Sequence, residues 1–389
     1  MRTRTNPWTV PLRRWLADAM TPWTVRRLTV PESLTAPDGW LLRGAVEAQH
    51  ESHRDAWGNL DLAHTPHEVL TILRHQRYVR RERFVAVAGP ASDVTPDPAL
   101  VLGSAALSLA VDNNTHTGHL EISVRPDARR QGIGAALHAA AVAGARAAGR
   151  TTLTASTDQR SEPAPGPATL TPSTGSGLVR SDDEGARFAL AHGFELEQVT
   201  RYSVLDVPLE PTFLAGQHAA ARAAAGDAYR IVTWDDPCPD EWVDQLAELE
   251  TRMSTDAPGG GLDLHEDRWD AARVRATEAE LRERGMRHSV AAAVHGPTGA
   301  LVAFSAFKRP AWTDEFVHQH DTLVLAEHRG RRLGMLVKTA NLQRLAAEQP
   351  GARRIGTWNA EENAHMLGIN VALGFRPSGG SGEWQARIG

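Results

Sequence analysis

The chain has 389 residues, 41% hydrophobic and 23% charged, the balance of globular domains able to bury a core, and at roughly 150 residues per domain this length predicts two or three domains. A formal net charge of −5 excludes a bulk electrostatic binder of nucleic acid or of a membrane surface. The single cysteine, Cys238, excludes an internal disulfide and a cysteine zinc site; between prolines it reads as an incidental loop residue, and the chain as a cytoplasmic one.

In chain order, residues 1–22 are basic without the apolar core of a secretion signal and read as an N-terminal extension. Residues 23–30 read as a strand, and 41–57 and 66–76 as helices, the second opened by Thr65-Pro66. Strands follow at 83–89, 99–111 and 119–124, then an alanine-rich helix at 132–148, a strand at 151–156, a helix at 183–192 and a pair of extended segments after Gly193. The Pro-, Gly-, Ser- and Thr-rich residues 159–181 predict a long flexible loop, and 209–228 a linker with some helix. The order then repeats: strand 229–234, helices 241–253 and 265–283, strands 289–296, 300–309 and 315–325, helix 332–347, strand 354–358 and helix 363–373. The expected domains are therefore 23–208 and 229–389, each with a mixed, mostly antiparallel sheet flanked by helices.

Each half carries one strand-to-helix loop suited to phosphate. The first, Arg129-Arg130-Gln131-Gly132-Ile133-Gly134, follows the strand HLEISV. The first N–H groups of a helix lack internal partners and carry the positive end of its dipole; glycines let that backbone approach a pyrophosphate, and arginines pair with its oxygens. A tight turn with solvated arginines is the plain alternative. The second loop runs from Arg329 through Gly330, Arg331 and Arg332 to Gly334, with arginine where the first loop has Gly132.

VRPDARRQGIGAAL resembles the acetyl-CoA loop of the GNAT (GCN5-related N-acetyltransferase) superfamily, Arg/Gln-x-x-Gly-x-Gly/Ala, with Arg129, Gly132 and Gly134 on its fixed positions. TWNAEENAHMLGINVALGF, residues 357–375, is similar to the superfamily's last strand and helix. The arrangement resembles the tandem actinobacterial type that includes mycothiol synthase. The resemblance implies two GNAT folds and acetyl-CoA as cosubstrate. It implies a splayed strand, Glu121, Ile122 and Val124 in the first half and Leu323 and Leu325 in the second, whose free backbone groups hold the thioester and pantetheine arm. It also places Asn359 beside the pantetheine and Asn363 at the start of the next helix. The tyrosine that often serves as acid in that superfamily is replaced by Ala189 and Asn370.

Amide formation from a thioester needs a neutral amine, a stabilised oxyanion and a solvated or protonated leaving thiolate. Candidate bases are Glu121 in the first half and Asp321 in the second, where His318 and His320 precede it on alternate positions, sharing one face while Asp321 points to the other. Each is also readable as a paired or solvated side chain. Trp312 and Trp358 are candidates for an acceptor pocket or for packing. The richer polar strand favours catalysis in the second half, although the first has the intact loop. The expected activity is acetyl transfer to a primary amine of a small molecule by direct attack in a ternary complex. No metal ligand is nominated. The rival readings are a catalytically silent acyl-CoA binder or scaffold and a dinucleotide oxidoreductase, which would need a third glycine where Leu137 stands.

Overall fold

A computed structural model describes residues 23–89 and 96–389, so the expected extension at 1–22 lies outside the described residues. The first half runs β1 (Trp23–Arg27), α1 (Gly39–Trp57), α2 (Pro66–Arg74), β2 (Val79–Ala88), β3 (Val101–Ala110), β4 (Thr117–Val124), α3 (Ile133–Ala147), β5 (Thr152–Gln159), the short strands β6 (Thr169–Leu170) and β7 (Val179–Arg180), α4 (Glu184–Ala191) and β8 (Glu195–Asp206). After α5 (Pro211–Ala225) the second half runs β9 (Tyr229–Asp235), α6 (Val243–Asp256), α7 (Ala271–Glu283), β10 (Arg287–His295), β11 (Ala300–Arg309), β12 (Phe316–Val324), α8 (Leu333–Glu348), β13 (Arg354–Ala360), α9 (Ala364–Leu373) and β14 (Arg376–Arg387). Local chemistry explains several boundaries. Thr65 and Glu68 form a reciprocal capping box around Pro66 at the start of α2, and Gly374, at φ 98°, ends α9.

One twelve-stranded sheet runs through the molecule in the order β1-β2-β3-β4-β5-β14-β8-β13-β12-β11-β10-β9. All neighbours are antiparallel except β4–β5 and β12–β13. The centre of this order is an exchange. The last strand of the chain, β14, pairs with β5 of the first half, while β8 pairs with β13 of the second. Side chains follow their strands. Trp384, on β14, is fully buried among Leu137, Val179 and Val199, and its Nε1–H donates to Thr157 Oγ1 at 2.8 Å. Leu205, on β8, packs with Leu336, Ile355 and Phe375.

Several expectations change. The extended pair after Gly193 is one continuous strand, β8, and β14 is a strand the sequence reading lacks. Residues 159–181 contain a β6–β7 hairpin that buries Val179 in the first core, with Gln159 donating to the Leu178 carbonyl, so apolar burial and backbone pairing order part of this segment. Residues 265–270 are not helical: α7 is capped by Asp270, whose carboxylate accepts from Arg273 N–H. The linker's α5 packs on α8 through Leu214 and Ala221, so the outer face of α8 is covered while Ala135 on α3 is exposed. Cys238 is a core residue, not an incidental one. It packs with Trp242 and Leu246, and burial pushes its thiol up to about 12.

Candidate functional site

Two backbone features repeat in the halves. The first is the loop before α3 and α8. Arg130 and Gly132 have φ of 64° and 80°; Gly330 and Arg332 have 79° and 55°. Each loop thus uses two left-handed residues, one glycine and one arginine, in opposite order. This alternation turns successive N–H groups to one side, the geometry of an anion-binding nest. Arg129 Nε donates to the Val124 carbonyl at 3.3 Å and Arg329 Nε to the Val324 carbonyl at 3.1 Å. Arg129 also pairs with Asp55 and Arg329 with Asp256, both at the loop's rim.

The second feature is the splay. Strand β4 pairs with β5 only from Thr117 to Leu120, so from Glu121 to Val124 it has no strand partner on the β5 side, where the Val124 carbonyl accepts from Arg129 Nε and Ser52 Oγ. Strand β12 pairs with β13 only from Phe316 to His318. The residues expected to splay, Ile122 and Val124, Leu323 and Leu325, stand beyond those last pairs. The Leu323 side chain is in the second core.

In the first half the loop and splay open into one cleft of about 1040 Å³. Ile122, Val124, Arg129, Arg130, Gly132, Ile133 and Gly134 line it; Gln131, also named from the sequence, does not. Its walls include His53 and Asp55 of α1, Ser156 to Asp158 of β5, and His138 of α3 facing His192 after α4. The His138 and His192 rings are 4.3 Å apart, and burial, then His192, pushes His138 down to about 4.

The sheet face toward α1 is acidic. Glu121 Oε1 lies 3.7 Å from His119 Nε2, and this contact holds the Glu121 carboxyl at about 2. Burial opposes a charge on His119, but Glu121 outweighs it and raises the imidazole pKa. Asp158 is pushed up to about 6 by the protein walls around it and by the charges of Glu383 and Glu121, against a hydrogen bond from Trp57 Nε1 at 3.0 Å. Glu383 arrives on β14; its Oε2 accepts from Ser156 Oγ at 2.6 Å. Sequence reasoning missed His119, Asp158 and Glu383. His119 carried a signal, since it alternates with Glu121. Asp158 and Glu383 carried none, because β14 inserts beside β5.

In the second half, β12 bulges. Lys308 pairs with His318 and Phe307 with Gln319, but Ser305 pairs with Thr322, which leaves one extra residue at His320 and Asp321. The simple alternation read from the sequence therefore fails here: Asp321 turns back to its neighbour, with Oδ2 3.0 Å from His320 Nε2. Counting back from Ala303–Val324 and Gly103–Val124, His318 takes the place of His119, and the bulge takes that of Glu121. Burial pushes His318 down to about 3, and His64 of the first half adds to this. Around Asp321 stand Lys308 and, on α6, Glu250. Burial, then Asp321, raises the Glu250 pKa; burial lowers that of Lys308 against both carboxylates; His320 and Lys308 hold Asp321 low.

The remaining candidates are engaged elsewhere. Asn363 caps α9 by accepting from Met366 N–H. Asn359 Oδ1 accepts from Asn370 Nδ2 at 2.7 Å, and the fully buried Lys338 donates to Asn370 Oδ1 at 2.9 Å. Arg331 lies over the Tyr229 ring. Trp358 stacks tilted on Tyr202 and edge-on to Trp57, so one aromatic group links β13 to the Asp158 wall. Trp312 is exposed.

Two parallel-paired, splayed strands, each leading through an anion nest into a helix, define a tandem acyltransferase fold. Residues 48–164 match the family model described as Acetyltransferase (GNAT) family. A tandem GNAT protein from the clavulanic acid biosynthesis pathway is 25% identical, covers 95% of this chain and 99% of its own, and superposes with a TM-score of 0.69. A GCN5-related N-acetyltransferase from Sphaerobacter thermophilus, 13% identical over 94% of this chain and 96% of its own, gives 0.55. The glucosamine N-acetyltransferase region of a fungal multi-domain β-N-acetylglucosaminidase, 13% identical over 95% of this chain and 38% of its own, gives 0.56. No curated protein matches the sequence. The family match thus falls on the first half, and the whole chain has the fold of a tandem pair of GNAT domains.

Proposed function

We propose that the chain transfers an acetyl group from acetyl-CoA to a primary amine of a small molecule, by direct attack in a ternary complex, and that the first half carries the reaction. The observation behind this is the single cleft that joins loop 129–134, the free edge of β4 and the Asp158 wall. It replaces the sequence-based preference for the second half.

The residues present suit acetyl-CoA. The nest at Arg130 and Gly132 offers N–H groups to a pyrophosphate, and the bare Gly132 admits close approach. The β4 backbone beyond Leu120, which has no strand partner on the β5 side, offers hydrogen-bonding groups to the pantetheine arm and the acyl carbonyl. Acetyl-CoA, when bound, supplies the activated acyl group and a thiolate leaving group of low basicity. Asp158, with a pKa near 6, is ionised at neutral pH and can take the proton that the acceptor's ammonium gives up, directly or through water, before the neutral amine attacks the thioester carbonyl and the thiolate leaves. The charges of Glu383 and Glu121, which already raise Asp158, favour a cationic amine beside it. Direct attack is favoured because Cys238 is buried and its thiol protonated.

The test is free-thiol release from acetyl-CoA across a panel of amines. A Cβ on Gly134 already meets the Phe188 ring at 3.2 Å, so Gly134→Trp blocks the cleft and abolishes turnover, while Gly334→Trp leaves it. Loss confined to Gly334→Trp would place the chemistry in the second half. Thiol release independent of any amine would sink the transfer reading.

A further inference from the structure

We propose that His116, Asp263 and His265 form a binding site for a divalent transition-metal ion that staples the two halves together. The site lies at the paired start of β4, away from the splayed ends of β4 and β12. His116 stands in the turn before β4, while Asp263 and His265 belong to the segment between α6 and α7, which crosses from the second half onto the first. One donor atom from each residue lies within 4.8 Å of the other two. His116 Nε2 is 3.3 Å from Asp263 Oδ2, and His265 Nε2 is 3.7 Å from Asp263 Oδ1. A four-coordinate ion with bonds of about 2 Å needs donor atoms about 3.3 Å apart. The His116–Asp263 separation meets this already. The His265 ring is mostly exposed and free to close the remainder.

The surroundings hold the donors in place. Asn114 clamps the His265 backbone with two hydrogen bonds, accepting from its N–H at 2.6 Å and donating to its carbonyl at 3.0 Å. Asp263 N–H donates to Gln385 Oε1 at 2.6 Å. Arg387 and Thr152 donate to Asp263 Oδ2, at 2.7 and 3.4 Å, which orients the carboxylate as second-layer partners of metal-bound carboxylates do. The two imidazole rings, 4.9 Å apart and tilted by 31°, converge on the carboxylate from opposite halves of the chain. Two imidazoles and one carboxylate suit zinc, nickel or cobalt, not calcium or magnesium. His116 Nε2 is also 3.1 Å from the Asp263 carbonyl, a contact that a bound ion replaces.

The test uses the full chain, stripped with EDTA and dialysed against zinc. Expected are one more bound equivalent in the parent than in the His116→Ala/His265→Ala double variant, and a zinc-induced rise in melting temperature that the double variant lacks. His265→Ala alone removes an exposed side chain and leaves the fold intact; it weakens zinc at this site by more than about tenfold. Equal zinc stoichiometry in parent and double variant, or equal zinc-induced stabilisation, overturns the proposal.

Discussion

The strand exchange makes a prediction that a chain of two sequential domains does not. Trp384 belongs to the last strand of the chain, yet it is fully buried in the core built by α3, β5 and β8. Truncating a buried tryptophan to alanine costs about 3–5 kcal/mol from lost transfer energy and the cavity left behind. Trp384→Phe keeps most of the volume and loses the Nε1–H bond to Thr157, about 1 kcal/mol, plus a smaller void. The perturbation therefore has a graded size and a place. The assay is urea unfolding combined with amide hydrogen exchange. Three kcal/mol is about a hundredfold in an opening equilibrium, so Trp384→Ala accelerates exchange by that factor in β4, β5 and α3, around residues 117–159. Acceleration confined to β9 through β12, with residues 117–159 unchanged, would refute the exchange of strands and the packing deduced from it.

Other outcomes follow from individual groups. Asp158 is raised to about 6 in the fold from an ordinary 3.8, so ionising it is disfavoured only in the folded state; stability falls as pH rises from about 4 through 6, and Asp158→Asn removes that fall in a series of melting temperatures. The same variant lowers kcat/KM and abolishes an acid limb near pH 6. Buried Lys338 is pushed down to about 7, so the unfolded chain binds more protons between about 7 and 10.5 and stability rises with pH there; Lys338→Met therefore stabilises the protein more at pH 7 than above pH 10, and equal effects at both would contradict the shift. Arg332 is held at φ 55°, a conformation costing a side-chain-bearing residue about 1–2 kcal/mol; Arg332→Gly raises the urea midpoint, and Arg332→Val lowers it.

The sequence made legible what depends on local periodicity. The strand before each phosphate loop, the glycines after α4 and α9, and the proline and threonine opening α2 are properties of a few adjacent residues. They located the loops, and the ends of β4–β5 pairing fall where splaying begins. What was not legible depends on partners far along the chain. Strand β14, RPSGGSGEWQAR, is glycine- and serine-rich over its first half and alternates apolar and polar residues only at its end, where Trp384 and Ala386 enter the first core; its pairing is fixed by β5 and β8 on either side. For the same reason Glu383 and Asp158 could not be brought together from sequence. The β12 bulge was hidden too, because a single extra residue changes the facing of Asp321 without changing any residue type.

The two loops separate what a glycine does in such a motif into conformation and clearance. Either residue of an Arg–Gly pair can occupy the left-handed positions, as Arg130 with Gly132 and Gly330 with Arg332 do. Conformation alone therefore does not distinguish the halves. Clearance does, because Gly132 stands immediately before α3, where a phosphate meets the first N–H groups, and it carries no side chain. Arg332 stands at that point before α8 with a Cβ and a guanidinium-bearing chain, while the glycine of its pair is two residues earlier. The first nest is thus open to close backbone approach and the second is partly occupied by its own side chain. Downstream the contrast continues. In the first half the path past the loop is open cleft to Asp158, whereas in the second Lys338, Asn370 and Asn359 are bonded to one another between α8, α9 and β13. The second half repeats the loop and splay of the first but bonds these three side chains to one another, whereas His138 and Asp158 line the first half's cleft. That difference, more than any single acid or base, is the reason to assign transfer to the first half.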